Sequence, residues 1–169
     1  MKALAAALLL AAAPQDARIE AHFSPSGERR ALHERIEKEL AGARREVLVA
    51  LFHFTSDRLA GALAARRRAG ADVRLLLDAA QADPAFVDRL RNARVDVRLV
   101  RPRGDEFARF HHKYAVLDEA TVITGSFNWT WMADARSHEN LLVLRDAPAA
   151  RAYREDFLST WNDRALSPP

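Results

Sequence analysis

VLVALFHFTSDRLAGALAARRRAGADVRLLL, residues 47–77, sets two apolar runs on either side of a segment with helical spacing. Val47 to Phe52 is continuously apolar, as in a strand buried on both faces of a sheet. Ser56 stands where a helix cap belongs, and Leu59, Leu63 and Ala64 share the apolar face of the helix it opens. Arg66, Arg67 and Arg68 bring cations to the last turn, and Gly70 occupies the stop position. Val73 to Leu77 is a second buried strand. The segment therefore predicts a strand, a crossover helix and another strand.

The same alternation continues in both directions. Downstream, Asp83-Pro84 is a cap followed by a first-turn proline, opening a helix to about Asn92, and Val95 to Val100 alternates as a strand. Upstream, Ile19, Ala21 and Phe23 alternate as in a half-buried strand. Ser24-Pro25-Ser26-Gly27 is turn chemistry with Ser24 or Ser26 as a helix cap, and Leu32, Ile36 and Leu40 recur at helical spacing. Residues 101–110 read as a polar loop. Tyr114–Leu117 and Thr121–Thr124 read as strands joined near Asp118-Glu119, Leu141–Leu144 as the last strand, and Ala149 to about Asn162 as a closing helix. The fold class expected is α/β, with a mixed β-sheet flanked by helices on both faces.

A length of 169 residues suits one domain with a real core, and 49% hydrophobic and 29% charged residues suit a globular chain. Net charge is +3, so a nucleic-acid binder of this composition would depend on local basic patches. There is no cysteine, which excludes disulfides, thiolate metal sites and a thiol nucleophile. Only three of the 26 basic residues are lysines, Lys2, Lys38 and Lys113, so Lys113 stands out. No HExxH or similar spacing occurs, and neither a metal nor a cofactor is expected.

Residues 1–17 have the character of a secretory signal: Lys2 as a short positive region, then an apolar stretch from Ala3 to Ala13 too short to span a bilayer. Cleavage after Ala13 or after Ala17 is expected, the alternative being an N-terminal helix packed on the domain. The expected division is a signal at 1–17, one domain at 18–166 and a disordered tail at 167–169. A periplasmic or secreted protein follows, without membrane insertion of the mature chain.

The chemistry lies in HHKYAVLDEATVITGSFN, residues 111–128, which has the pattern H-x-K-x4-D-x6-G-S-x-N. His111 and Lys113 are two apart and so share one face of a strand, while His112 faces the other way. Ser126 and Asn128 follow the next strand. If those strands form a hairpin, the two polar pairs converge at one end of the sheet. A histidine nucleophile, a fixed cation and hydrogen-bond donors suit attack on a phosphodiester.

This run resembles the HKD motif of the phospholipase D superfamily. FTSDRLAGALAARRRAGADVRLLLD, GSFNWT, SHENLLVL and FLSTWNDR further resemble the small bacterial secreted endonucleases of that superfamily, which carry one motif per chain. The resemblance implies a phospholipase D-like αβα sandwich. It implies that His111 is the nucleophile, forming a phosphohistidine, or the acid that protonates the leaving oxygen. It places Lys113 and Asn128 on the phosphate oxygens and Ser126 in the wall of the pocket. Glu139 matches the acidic residue that orients the histidine. Asp118 joins the site set as a motif residue, its part in the family being more structural than catalytic.

One histidine cannot be nucleophile and acid in the same step. The chain has one H-x-K, so a homodimer is expected to bring two copies of His111 to one phosphate. Arg101, Arg103 and Arg109, on the loop leading to His111, are the candidates for contacts to a nucleic-acid backbone. Trp129 and Trp161 read as packing residues and His53 as a core histidine. The function expected is a metal-independent endonuclease on DNA, with RNA as a further substrate. A phospholipase or cardiolipin hydrolase is the enzymatic alternative, and a non-catalytic nucleic-acid-binding domain is the alternative from another class.

Overall fold

The computed structural model describes residues 17–25 and 31–166. Most of the expected signal segment, residues 26–30 of the expected turn, and the tail from 167 lie outside them. In chain order the elements are β1 (Arg18–Ser24), α1 (Ala31–Gly42), β2 (Glu46–Leu51), α2 (Asp57–Arg68), β3 (Asp72–Asp78), α3 (Pro84–Asn92) and β4 (Asp96–Val100). There follow β5 (Lys113–Leu117), β6 (Thr121–Gly125), α4 (Trp131–Arg136), β7 (Glu139–Arg145), α5 (Ala147–Asn162) and a 3₁₀ turn at Arg164–Leu166.

Seven strands form one sheet in the order β1-β7-β6-β5-β2-β3-β4. β2, β3 and β4 are parallel, whereas β5 runs antiparallel to β2 and β6, β7 and β1 continue antiparallel. The mixed sheet read from the sequence is the one found. Alternate residues of its strands enter two separate cores. Val47, Val49, Leu51, Val73, Leu75 and Leu77 meet Leu32, Ile36, Leu40, Leu59, Leu63 and Phe86 of α1, α2 and α3. Leu48, Ala50, Leu76, Val116 and Val122 meet Ala150 and Phe157 of α5 on the other face. Helices thus cover both faces, as the unbroken apolar run of β2 requires.

The local signals act as their chemistry directs. Ser56 accepts the Leu59 N–H, Asp83 accepts the Phe86 N–H at 2.7 Å with Pro84 in the first turn, and Gly70 adopts φ +94° after α2. Arg66 does more than compensate its own helix end, because it donates to the Ala41 carbonyl at the end of α1, 2.9 Å away. Ser24 does not cap a helix; its hydroxyl donates to the Ser137 carbonyl. Trp129 is fully buried, as expected, whereas Trp161 is only half-buried. The Trp161 ring lies under the guanidinium groups of Arg98 and Arg74, at 4.8 and 5.7 Å.

Asp118 is where the structure departs from the site set. It begins the β5–β6 turn with φ +53°, at the end of the strand opposite to Lys113. Its carboxylate accepts the backbone N–H groups of Arg44, Arg45 and Glu46 at 2.8, 2.8 and 2.9 Å, pinning the hairpin to the start of β2. Asp118 is therefore a structural clamp and no part of the catalytic group. Burial alone would raise its carboxyl, but those backbone donors and the Arg45 charge outweigh burial and hold it below the ordinary value.

Because the folded pKa lies below the unfolded one, the contribution is complete above the unfolded carboxylate range. It is lost as pH falls through the folded value. Asp118→Asn should lower stability at neutral pH by about 1–2 kcal/mol, since solvent screens part of the three charge-assisted bonds. Urea unfolding at several pH values checks this: the gap between variant and wild type should narrow in acid.

Candidate active site

Strand ends bring the site together. β5 pairs with β6 so that Tyr114 lies opposite Thr124, which sets Lys113 beside Gly125 at the start of the Ser126–Asn128 segment. On the other side, Leu51 lies opposite Lys113, and the Phe52 N–H donates to the His112 carbonyl at 2.7 Å, extending the pairing as far as the histidines. The hairpin convergence expected from the sequence is present. Gly125 is required there: it has φ +146°, and a Cβ would collide with the Asn140 carbonyl of β7.

His111 is exposed, its ring tilted against Phe52 with centroids 4.6 Å apart. Lys113 Nζ lies 3.2 Å from each ring nitrogen and donates to the His111 carbonyl at 3.0 Å. The same ammonium sits 5.2 Å from the centre of the Phe52 ring. Burial first, and the Lys113 charge second, push the His111 pKa below the ordinary value, with His112 adding to them and Asp78 opposing them. The shift favours the neutral imidazole, the form in which a ring nitrogen can attack phosphorus. Burial also lowers Lys113, and the Glu139 carboxylate counters that by favouring the ammonium form.

Ser126 donates its hydroxyl hydrogen to Glu139 Oε2 and accepts the Asn140 N–H at 3.1 Å. Within one chain Glu139 thus holds Ser126 and supports the charge of Lys113; no hydrogen bond joins it to His111. Asn128 Oδ1 is buried without a hydrogen-bond partner among the described residues. That oxygen is an acceptor closed to solvent, so a contact to an anionic ligand would fall to the amide nitrogen, which can donate. Among the described residues, no three His, Asp or Glu side chains are grouped as metal ligands.

His112 faces the opposite side, as its place in the strand requires, and packs between Phe110 and Tyr114 with Asp156 of α5 at 4.0 Å. His53 is half-buried and not enclosed in either core. Of the three loop arginines, Arg103 is 3.3 Å from Asp163, and Arg109 donates to the carbonyls of Glu106 and Ala108 at 2.6 and 2.8 Å. Arg101 is exposed with no side-chain hydrogen bond among the described residues.

Two groups near this site escape a reading of the sequence. Asp78, ending β3, is buried and accepts the Phe110 N–H at 2.8 Å, just before His111. His33 and Asp134, 101 residues apart, form a buried pair 2.5 Å apart. The only signal for Asp78 was an acid closing an apolar strand, which also reads as a solvated turn residue. Nothing local marks the second pair.

Residues 36–161 match the family described as "Cardiolipin synthase, PLD-like domain". The chain belongs to the phospholipase D superfamily. Among superfamily relatives it is 35% identical over 131 residues to the mitochondrial cardiolipin hydrolase of Xenopus laevis, covering 76% of this chain and 60% of that protein. It is 30% identical over 126 residues to the phospholipase D of Rickettsia bellii, covering 73% and 61%. It thus spans about three-fifths of the length of these curated relatives. Nuc of Salmonella typhimurium, a phospholipase D family member, has the same fold with a TM-score of 0.76 at 24% identity, covering 87% of this chain and 95% of that one. NucT from Helicobacter pylori gives 0.74 at 22% identity, covering 86% and 98%.

If the Lys113 charge keeps this superfamily histidine neutral, removing it should raise the His111 titration midpoint. Histidine-selective NMR of Lys113→Met should show the midpoint moving to higher pH, without cancelling the larger effect of burial. An unchanged midpoint would mean that the ammonium does not govern the ring.

Proposed function

We propose that the chain is a metal-independent phosphodiesterase, an endonuclease acting on DNA and also on RNA, working as a homodimer. The observation that carries this reading is an exposed imidazole with an ammonium 3.2 Å from its ring nitrogens. A neutral His111 nitrogen attacks phosphorus, the P–O bond to the leaving group breaks, and a phosphohistidine forms. Lys113 and the Asn128 amide stabilise the charge gathering on the non-bridging oxygens, a part that metal ions play in many nucleases. The leaving oxygen takes its proton from His111 of a second copy, and that copy's histidine then deprotonates the water that releases the phosphate.

The second copy is thus a chemical requirement. Apolar surface at hand supports it: Phe23 is 65% exposed near the end of β1, and Ser24 lies opposite Glu139 of the site. Nucleic acid is favoured by the resemblance to the small secreted endonucleases and by Arg101, Arg103 and Arg109 on the loop that delivers His111. Export to the periplasm or beyond would separate such an activity from the cell's own chromosome.

A lipid phosphodiester is the second reading, favoured by the similarity to proteins named cardiolipin hydrolase and phospholipase D. No helix among the described residues is long and apolar enough to cross a membrane. A binding module without catalysis has no need of a neutral histidine beside a lysine.

Supercoiled plasmid in excess EDTA should be nicked by the wild type, and His111→Ala should lower the rate at least ~10³-fold. Lys113→Met should lower kcat by roughly 10²–10³ with little change in KM. Cleavage of cardiolipin vesicles but not of plasmid would transfer the assignment to lipid. Sedimentation of the active protein should give a dimer, and an active monomer would break the two-histidine mechanism.

A further inference from the structure

Asp78 is 1% exposed and lies at the end of β3, where a charged group is costly unless its oxygens are occupied. Both are. Oδ1 accepts the N–H groups of Ala80 and Gln81, at 3.0 and 3.2 Å, closing the turn that follows β3. Oδ2 is spent elsewhere in the chain, on the Phe110 N–H at 2.8 Å, 32 residues away. Phe110 is itself buried, and its neighbour in sequence is His111. The loop at 101–110 contains no helix or strand of its own. Its first half is held by the Arg101 N–H, which donates to the Leu166 carbonyl at 2.7 Å, and by Arg103 beside Asp163. The Asp78 carboxylate is the hydrogen-bonded point at which its last residue is fixed to the end of β3, immediately before His111.

We propose that Asp78 is the positioning residue of the site, tethering Phe110 so that His111 is delivered in register beside Lys113 and Phe52. The proposal rests on the phosphodiesterase reading only for its kinetic consequences. The charge of Asp78 has a second effect on the same ring. It favours the imidazolium form, against burial, Lys113 and His112, which all favour the neutral one. Removing the charge should lower the His111 pKa further. The acid limb of the rate profile, where the nucleophile must lose its proton, should then move to lower pH. The alkaline limb, where the second histidine must keep its proton, should move the same way, because both subunits carry the change.

The test uses Asp78→Asn and Asp78→Ser in the full chain. Serine can close the turn by accepting the Ala80 or Gln81 N–H but is too short for Phe110, so it separates the tether from the turn. Both variants should lower kcat roughly 10- to 100-fold with little change in KM, as expected when a reacting group is misplaced. Both should shift the kinetic pH window and the NMR titration of His111 to lower pH. Variants that fold and keep the wild-type kcat, pH window and His111 titration would overturn the proposal. So would the failure of both to fold, which would make Asp78 a stability residue alone. If the wild type cleaves no phosphodiester, the functional reading fails while the His111 titration still decides whether Asp78 governs the ring.

Discussion

The register between β2 and β5 is the constraint on which the site depends. Leu51 lies opposite Lys113, and the antiparallel sense of the pair turns the start of β5 toward the carboxyl ends of β2, β3 and β4. From that one reversal the rest follows. The end of β6 and the start of β7 come to the same edge, and with them Gly125, Ser126 and Glu139. Lys113 and Glu139 are thus held at strand termini, and His111, Ser126 and Asn128 follow or precede a strand by one to three residues. A slip of one residue would carry Lys113 to the α5 face and bring Tyr114 into its place. The burial of Tyr114 against α5, with its hydroxyl donating to Asp156 at 2.7 Å, opposes such a slip.

The electrostatics of the site form a chain of single charges. Glu139 supports the ammonium of Lys113, and the ammonium adds to burial in lowering the His111 pKa. Burial lowers both cations' pKa values, so it favours the nucleophile and works against the lysine. The carboxylate corrects the second effect without bonding to the histidine. Ser126, shared between Glu139 and the Asn140 backbone, fixes where that carboxylate stands. The arrangement combines a basic nitrogen and a positive charge within 3.2 Å of each other, at a surface where solvent screens part of the lysine's effect.

The fold was legible because its signals are local. Apolar runs at 47–51 and 73–77, the Ser56 and Asp83-Pro84 caps and the stop at Gly70 each act within a few residues, and the sheet order needs little beyond them. The His111–Asn128 pattern was legible for the same reason, since one hairpin brings its ends together. What escaped was long in sequence and specific in contact. Asp78 reaches Phe110, Arg66 reaches Ala41, and Glu139 chooses Ser126 over His111. Asp118 was legible as a turn residue between two strands, but its three backbone partners at the start of β2 lie more than 70 residues away. Arg103 and Arg109 looked like free cations, and only the fold brings Asp163 and two carbonyls to them.

The unassigned position of the G-S-x-N segment has a physical part as well. Phe127 is fully buried, and the edge of the His33 ring meets it at 89° with centroids 5.4 Å apart. His33 is held by Asp134 of α4, whose carboxylate also accepts the Leu32 and His33 N–H groups at the start of α1. A buried hydrogen bond between two side chains offers modest net stability, but its geometry favours one arrangement of the elements it joins. Here that arrangement locks α1, α4 and Phe127 together. With Phe127 driven inward between them, Ser126 and Asn128 are left to Glu139 and to the ligand. The apolar residue is thus the foot on which the two polar ones stand, and its place between them is as much a part of the site's geometry as theirs.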